Sequence, residues 1–178
     1  MLLYLIRHAI AETRNKSGDD SQRKLTPEGR EKMRLAASGL SRLIPSSARL
    51  LTSPTCRTKE TAELVAKACR LARTPLVAES LAPATPLKAL VRLISRSKSV
   101  RHLVLIGHEP NLSSLARYLL LPSKSSASIR PIVDFKKGGL CVLKVENKAA
   151  GLSKAQLLLH LTPKILTVMS HGIPTPSP

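Results

Sequence analysis

The chain is almost without aromatic side chains: it has no tryptophan, one phenylalanine (Phe135) and two tyrosines (Tyr4, Tyr118). Its core must therefore be aliphatic, and single-stranded nucleic acid, which binds by stacking bases on rings, is a poor fit as a partner. Cysteine is also scarce. Cys56, Cys69 and Cys141 are odd in number and form no C-x-x-C pair, so neither a disulfide framework nor a zinc ribbon is supported, and a cytoplasmic setting is expected. No apolar run approaches the roughly 18 residues that span a bilayer, and no membrane partner is expected. The apolar start Met1–Ile6 has no basic segment before it and is cut off by Arg7, so it reads as a buried strand rather than a signal peptide. Acidic residues are the last scarcity. Eleven Asp and Glu stand against 29 Lys and Arg, a formal net charge of +18. Such a field draws in phosphates, nucleic acid or acidic proteins without choosing among them.

What is present is an ordinary globular balance in a length that suits one domain. That domain is expected over residues 1–169. Residues 170–178 (SHGIPTPSP from Ser170) carry too little apolar mass to fold and are expected to form a tail. Leu2–Ile6 is a continuous apolar run, as in a strand buried on both faces. Thr26-Pro27-Glu28 opens a helix with an N-cap, a first-turn proline and an acid near the positive end. Its apolar stripe predicts a helix through Leu43 and Ile44, closed by Pro45. Strand signals recur at Arg49–Ser53, Leu76–Ala78 and His102–Ile106, with helical stripes after each, starting near Thr55, Leu87 and Pro110. A polar loop, Pro122–Pro131, precedes two further strands, Leu140–Val145 and Gln156–Leu161. Repeated strand–helix units with late strands predict a three-layer α/β sandwich. Its central sheet is mostly parallel, with antiparallel additions and helices on both faces.

Sites in open α/β sheets form just beyond the carboxyl ends of the strands. There the sequence places Arg7-His8, Ser53-Pro54 with Arg57 in the next helix's first turn, and Gly107-His108-Glu109-Pro110. Two arginines, two histidines and two helix N-termini on one sheet edge suit a phosphate, because guanidinium forks match its oxygens and free N–H groups favour anions. Imidazole adds nucleophilic or proton-transfer capacity near neutral pH.

These segments resemble the histidine phosphatase superfamily (phosphoglycerate mutase-like), and its short SixA-type phosphohistidine phosphatases in particular. The resemblance rests on Leu5–Glu12 (LIRHAIAE), Arg23–Gly29 (RKLTPEG), Ser53–Ala62 (SPTCRTKETA), Val104–Pro110 (VLIGHEP) and Leu159–Lys164 (LHLTPK), in the family's order along nearly the whole chain. It implies that His8 is the nucleophile, with Arg7, Arg57 and a protonated His108 holding the transferring oxygens, and that water then hydrolyses the phosphohistidine. That division of labour suits phosphoryl transfer, which is mainly positioning and stabilisation of negative charge. It requires no metal and no cofactor, and no carboxylate cluster of the kind Mg²⁺ prefers is evident. The chain departs from the family in two places. Ala9 stands where the family usually has glycine, which is tolerable only if the backbone there avoids positive φ. The family's larger members take a general acid from an inserted helical region that this chain is too short to contain. Glu79 and Asp20 are the candidate counterparts, each with the alternative of a solvated loop carboxylate.

The missing acid bears on the substrate. An alkoxide must be protonated as it leaves, whereas imidazole, with a pKa near ~6.5, leaves readily. The expected function is therefore hydrolysis of phosphohistidine in proteins such as phosphotransfer modules. A phosphatase for small phosphate esters and a non-catalytic phosphate- or nucleic-acid-binding module are the alternatives. His102, His160 and His171 carry no expected catalytic role, and Cys56 is a small helix residue or a thiol beside the site.

Overall fold

The computed structural model describes residues 1–13, 18–121, 132–148 and 151–170. The expected polar loop, residues 122–131, and all of the expected tail 170–178 except Ser170, which ends a helix, lie outside the described residues. Six strands form one sheet: β1 (Leu2–Arg7), β2 (Arg49–Thr52), β3 (Leu76–Val77), β4 (His102–Gly107), β5 (Leu140–Lys148) and β6 (Gly151–Leu161). Their order is β3-β2-β4-β1-β5-β6. The first four are mutually parallel, while β5 runs antiparallel to β1 and β6 antiparallel to β5. The predicted α/β sandwich with a mostly parallel sheet is the observed fold.

Among the described residues five α-helices cover the two faces: α1 (Pro27–Leu40), α2 (Cys56–Ala68), α3 (Leu87–Arg96), α4 (Asn111–Leu120) and α5 (Pro163–Ser170). Alternation along the strands divides the core in two. Tyr4, Ile6, Leu50, Val104 and Ile106 pack against α1, α2 and α5, while Leu3, Leu5, Leu51, Leu103 and Leu105 pack against α3, α4 and Phe135. β1 and β4 lie at the centre and are dry on both sides, which is why they read as unbroken apolar runs. Among the described residues no helix is long and apolar enough to cross a membrane.

Three elements differ from expectation. α1 ends at Leu40, and the amides of Leu43 and Ile44 both bond to the Leu40 carbonyl, so the chain turns there. Ile44 still reaches the core. Its apolar spacing thus reflects burial by a turn and not a longer helix. β6 begins at Gly151, ahead of Gln156, because the hairpin with β5 continues through two register shifts. The helix α5 was not predicted at all. It buries only Leu166, while Ile165 and Val168 face outward, so no apolar stripe announces it. Its start nevertheless repeats that of α1: Thr162-Pro163 stands where Thr26-Pro27 stands.

α5 sits on α1 across a backbone contact. A methyl group at Gly39 would lie 1.9 Å from the Leu166 carbonyl oxygen, and that neighbour is backbone that cannot swing aside. Gly39→Ala should therefore push the two helices apart and lower stability by roughly 1–3 kcal/mol, despite alanine's better helix propensity. Urea unfolding with an unchanged m-value checks this; an equally stable variant would contradict the packing.

Candidate functional site

Backbone pairing brings three strand ends level. Arg7 is in register with Gly107, the His8 amide donates to the Gly107 carbonyl (3.1 Å), and the Ser53 amide donates to that of Ile106 (3.1 Å). His8, Ser53 and His108 are thus the first residues beyond β1, β2 and β4, and all three are buried. The rings of His8 and His108 lie 5.1 Å apart, centroid to centroid, and tilted.

His8 Nδ1 is 2.7 Å from the carbonyl oxygen of Ala9. A carbonyl only accepts, so Nδ1 carries the proton and Nε2 keeps its lone pair. Burial pushes the His8 pKa down to about 4, with Arg57, Arg7 and Lys137 adding to the effect against the bond to Ala9. The ring is therefore neutral at pH 7 and can act as a nucleophile. Ala9 does not have a positive φ, which removes the objection to alanine at that position.

His108 Nε2 lies 2.8 Å from Ser53 Oγ and 3.5 Å from Thr55 Oγ1. Burial, then His8 and Arg57, push its pKa down to about 3. The expectation of a protonated His108 is not met by the protein alone, because a dry site and the charges of Arg57 and Arg23 oppose a further charge. Only a bound dianion could supply the compensating charge.

Arg57 is held on two sides of its fork: Nη1 donates to the Asp20 carbonyl (2.6 Å) and Nη2 to Asp20 Oδ2 (2.9 Å). Arg7 Nη1 donates to the Phe135 carbonyl (2.6 Å). The Nε–H groups of both arginines are buried without a hydrogen-bond partner. Each such donor costs about 1–3 kcal/mol, which an anion at the site would offset. The N-terminus of α2, with Thr55 as N-cap, adds its own N–H groups next to Arg57.

The two candidate acids are placed differently. Asp20 reaches the site as a counterion: burial raises its carboxyl, but Arg57 and Arg23 outweigh that and hold it below the usual range. An ionised, doubly paired carboxylate has no proton to donate, so Asp20 does not serve as the expected acid. Its role is to orient Arg57. Glu79 is exposed on the single 3₁₀ turn after β3, a turn whose Leu81 packs against the end of β4 at Gly107, and it is not among the charges that act most on His8 or His108. The carboxyl that burial does raise is Glu109, beside His108, which accepts from Ser113 N (3.2 Å) and Oγ (2.6 Å) and lies within the influence of Arg7.

Sequence reasoning missed several members of this cluster. Arg23 Nε is 2.9 Å from Asp20 Oδ1 and its charge acts on His108 and Arg57, making it a third arginine at the edge. Thr61 accepts from the Ala9 amide (3.2 Å) and donates to the Arg57 carbonyl (2.6 Å), tying the loop after His8 to the helix that carries Arg57. Gly138, at φ +81°, gives its amide to the carbonyls of Arg7 (3.0 Å) and His8 (3.2 Å) and so brings Lys137 to the site. Arg23 lies in a motif already noted, but nothing local marks Thr61 or Lys137. Two other histidines make contacts of their own, and His171 lies outside the described residues: His102 Nδ1 lies 3.1 Å from Tyr4 Oη, and His160 meets Phe135 edge-on. Cys56 opens α2 and points its thiol at Gln22. Among the described residues no group of three or more His, Cys, Asp or Glu side chains could hold a metal ion.

Both site histidines have lowered pKa values, so the unfolded chain, titrating near ~6.5, binds protons first as pH falls. The contribution of these two histidines should decline from about pH 6.5 down to pH 3–4, and the loss of paired carboxylates such as Asp20 adds to it at the acid end. Replacing His8 and His108 by glutamine should flatten that decline. Proton NMR of the His8 ring in phosphate-free buffer should show a midpoint near 4; a midpoint at 6.5 would contradict the desolvated, cation-ringed environment.

Known proteins agree with this reading of the fold. A sequence profile of the histidine phosphatase superfamily (branch 1) matches residues 3–81. A protein of Picosynechococcus, itself uncharacterized, is 37% identical over 118 residues, which are 65% of this chain and 71% of that one. The structure of the protein histidine phosphatase SixA complexed with tungstate superposes with a TM-score of 0.76 at 23% identity, covering 93% of this chain and 99% of the other. Mycobacterial glucosyl-3-phosphoglycerate phosphatase does so with a TM-score of 0.69 at 15% identity, over 90% and 98% of the two chains. This chain belongs to the histidine phosphatase superfamily.

Proposed function

We propose that the protein is a phosphatase working through a covalent phosphohistidine on His8, and that its substrate is phosphohistidine in proteins. The observation that carries the reading is the neutral His8 ring, its Nδ1 proton committed to Ala9, set between Arg7 and Arg57. In the first step His8 Nε2 forms a bond to phosphorus while the bond from phosphorus to the leaving group breaks, and the leaving atom keeps the electron pair. Water then attacks the phosphorus, loses a proton and releases phosphate, returning His8 to its starting form. Arg7 and Arg57 stabilise the equatorial oxygens, and His108 joins them once the phosphoryl group supplies the charge that lets it bind a proton.

The choice of leaving group follows from the carboxyls. Asp20 is held ionised by two arginines, Glu109 is engaged on both oxygens by Ser113, and Glu79 is exposed and not among the charges that act most on His8 or His108. A substrate histidine protonated on its second nitrogen leaves as neutral imidazole and needs no acid, whereas a sugar alkoxide does. Similarity to a glucosyl-3-phosphoglycerate phosphatase keeps small esters as the second reading, since one fold serves several substrates. A cytoplasmic, metal-independent enzyme is part of the proposal.

His8→Ala should abolish turnover while circular dichroism shows the fold retained, and rapid quench of the wild type should trap an acid-labile phosphoenzyme. Arg57→Lys should lose about 10²–10³ in kcat/KM, because a point charge cannot replace the fork that spans Asp20 and the phosphate. The decisive panel is a phosphohistidine protein, a sugar phosphate and an aryl phosphate. Preference for the sugar phosphate would shift the assignment to the ester reading. Background rates on all three, with duplex DNA bound at physiological salt, would replace it with a binding module.

A further inference from the structure

A groove of about 620 Å³ opens beside the site, between α1, α5 and the chain around Gly138. Its floor is apolar, including Ile10, Met33 and Val168, and Val168 is 58% exposed. Its rim carries four lysines and no acid. Lys32 and Lys136 are partly offset by Glu28 and Asp134, whereas Lys137 and Lys164 have no ion-pair partner among the described residues. The groove also adjoins the nucleophile. Ala9, next to His8, is part of its wall, and Gly138 hydrogen-bonds the His8 carbonyl.

We infer that this groove is the docking surface for the phosphorylated protein, and that it takes a segment in which carboxylates alternate with apolar side chains. The inference rests on the phosphohistidine-protein reading given above. Charge complementarity selects the occupant. A lysine rim without acids attracts carboxylates, while the exposed apolar floor needs aliphatic side chains to cover it, and a nucleic-acid backbone offers none. A segment seated there holds its phosphohistidine next to His8, so that binding away from the phosphorus is used to position it. Small phosphates do not reach the groove, and their turnover should not depend on it.

The test uses the full chain and separates docking from chemistry. The probes are a Glu/Leu-rich peptide, its counterpart with Gln for Glu, the phosphohistidine form of each, p-nitrophenyl phosphate, and vesicles of phosphatidylglycerol with phosphatidylcholine. Lys164→Glu and Val168→Asp change exposed side chains, and circular dichroism checks that both variants are folded. The unphosphorylated Glu peptide should bind by fluorescence anisotropy about tenfold more tightly than the Gln peptide, and both substitutions should remove that difference. In the wild type kcat/KM for the Glu phosphopeptide should exceed that for the Gln phosphopeptide by a similar factor. The substitutions should erase this advantage while p-nitrophenyl phosphate rates stay within about twofold. Equal binding of the two peptides, or binding indifferent to both substitutions, overturns the docking surface, even if phosphohistidine is hydrolysed. Vesicle binding that Val168→Asp abolishes, without peptide binding, also overturns it in favour of a lipid surface. Groove-dependent peptide binding with no hydrolysis of either phosphopeptide leaves docking standing and overturns the phosphohistidine reading instead.

Discussion

Everything at the site depends on keeping one imidazole neutral while surrounding it with positive charge. A histidine in water at pH 7 is only marginally deprotonated. His8 is driven well past that point by burial and by Arg57, Arg7 and Lys137. The same cations that would attract a phosphoryl group thus also keep the His8 lone pair free of a proton. Burial fixes the proton that remains, because the Ala9 carbonyl gives Nδ1 a partner and leaves Nε2 without a hydrogen. Had the ring been exposed, neither the tautomer nor the charge state would be determined.

Concentrating arginines in a dry place has a cost, and the structure meets it with backbone and a single shared acid. Arg7 leans on the Phe135 carbonyl, and Arg57 on the carbonyl and carboxylate of Asp20, which Arg23 also shares. One carboxylate shared by Arg57 and Arg23 steadies both without cancelling their charge. This explains why Asp20 is a poor acid: the interactions that make it useful as a counterion remove its proton. Thr61 and Gly138 complete the frame by fastening the loop after β1 to α2 and to the chain before β5. The site is consequently built from five separate stretches of chain, and disturbing any of them should be felt at His8.

The fold places these groups and leaves the substrate open. A parallel arrangement of β1, β2 and β4 sends their carboxyl ends to one edge, where histidines and helix N-termini meet. The same fold is shared by a protein histidine phosphatase and by a phosphatase of a sugar derivative, both of which superpose on this chain. Selectivity must come from what flanks the edge. Here the flank is an apolar groove with lysines at its rim.

The sequence by itself determined the sheet and the identity of the charged groups. The dry strands β1 and β4 are legible because burial on both faces leaves an unbroken apolar run, and Thr26-Pro27 marks a helix start by backbone chemistry alone. His8, Arg57 and His108 stand at strand–helix junctions that can be read in order along the chain. Tertiary structure decided the rest. α5 buries one residue and so leaves no periodic trace, and Leu43 and Ile44 keep helical spacing while lying in a turn. Protonation is likewise invisible in a residue string. His108 looks like a cation until its burial and its neighbours are known, and Asp20 looks like an acid until two arginines are found on it. Both outcomes depend on desolvation and on charges a few ångströms away from distant parts of the chain, and those distances exist only once the chain has folded.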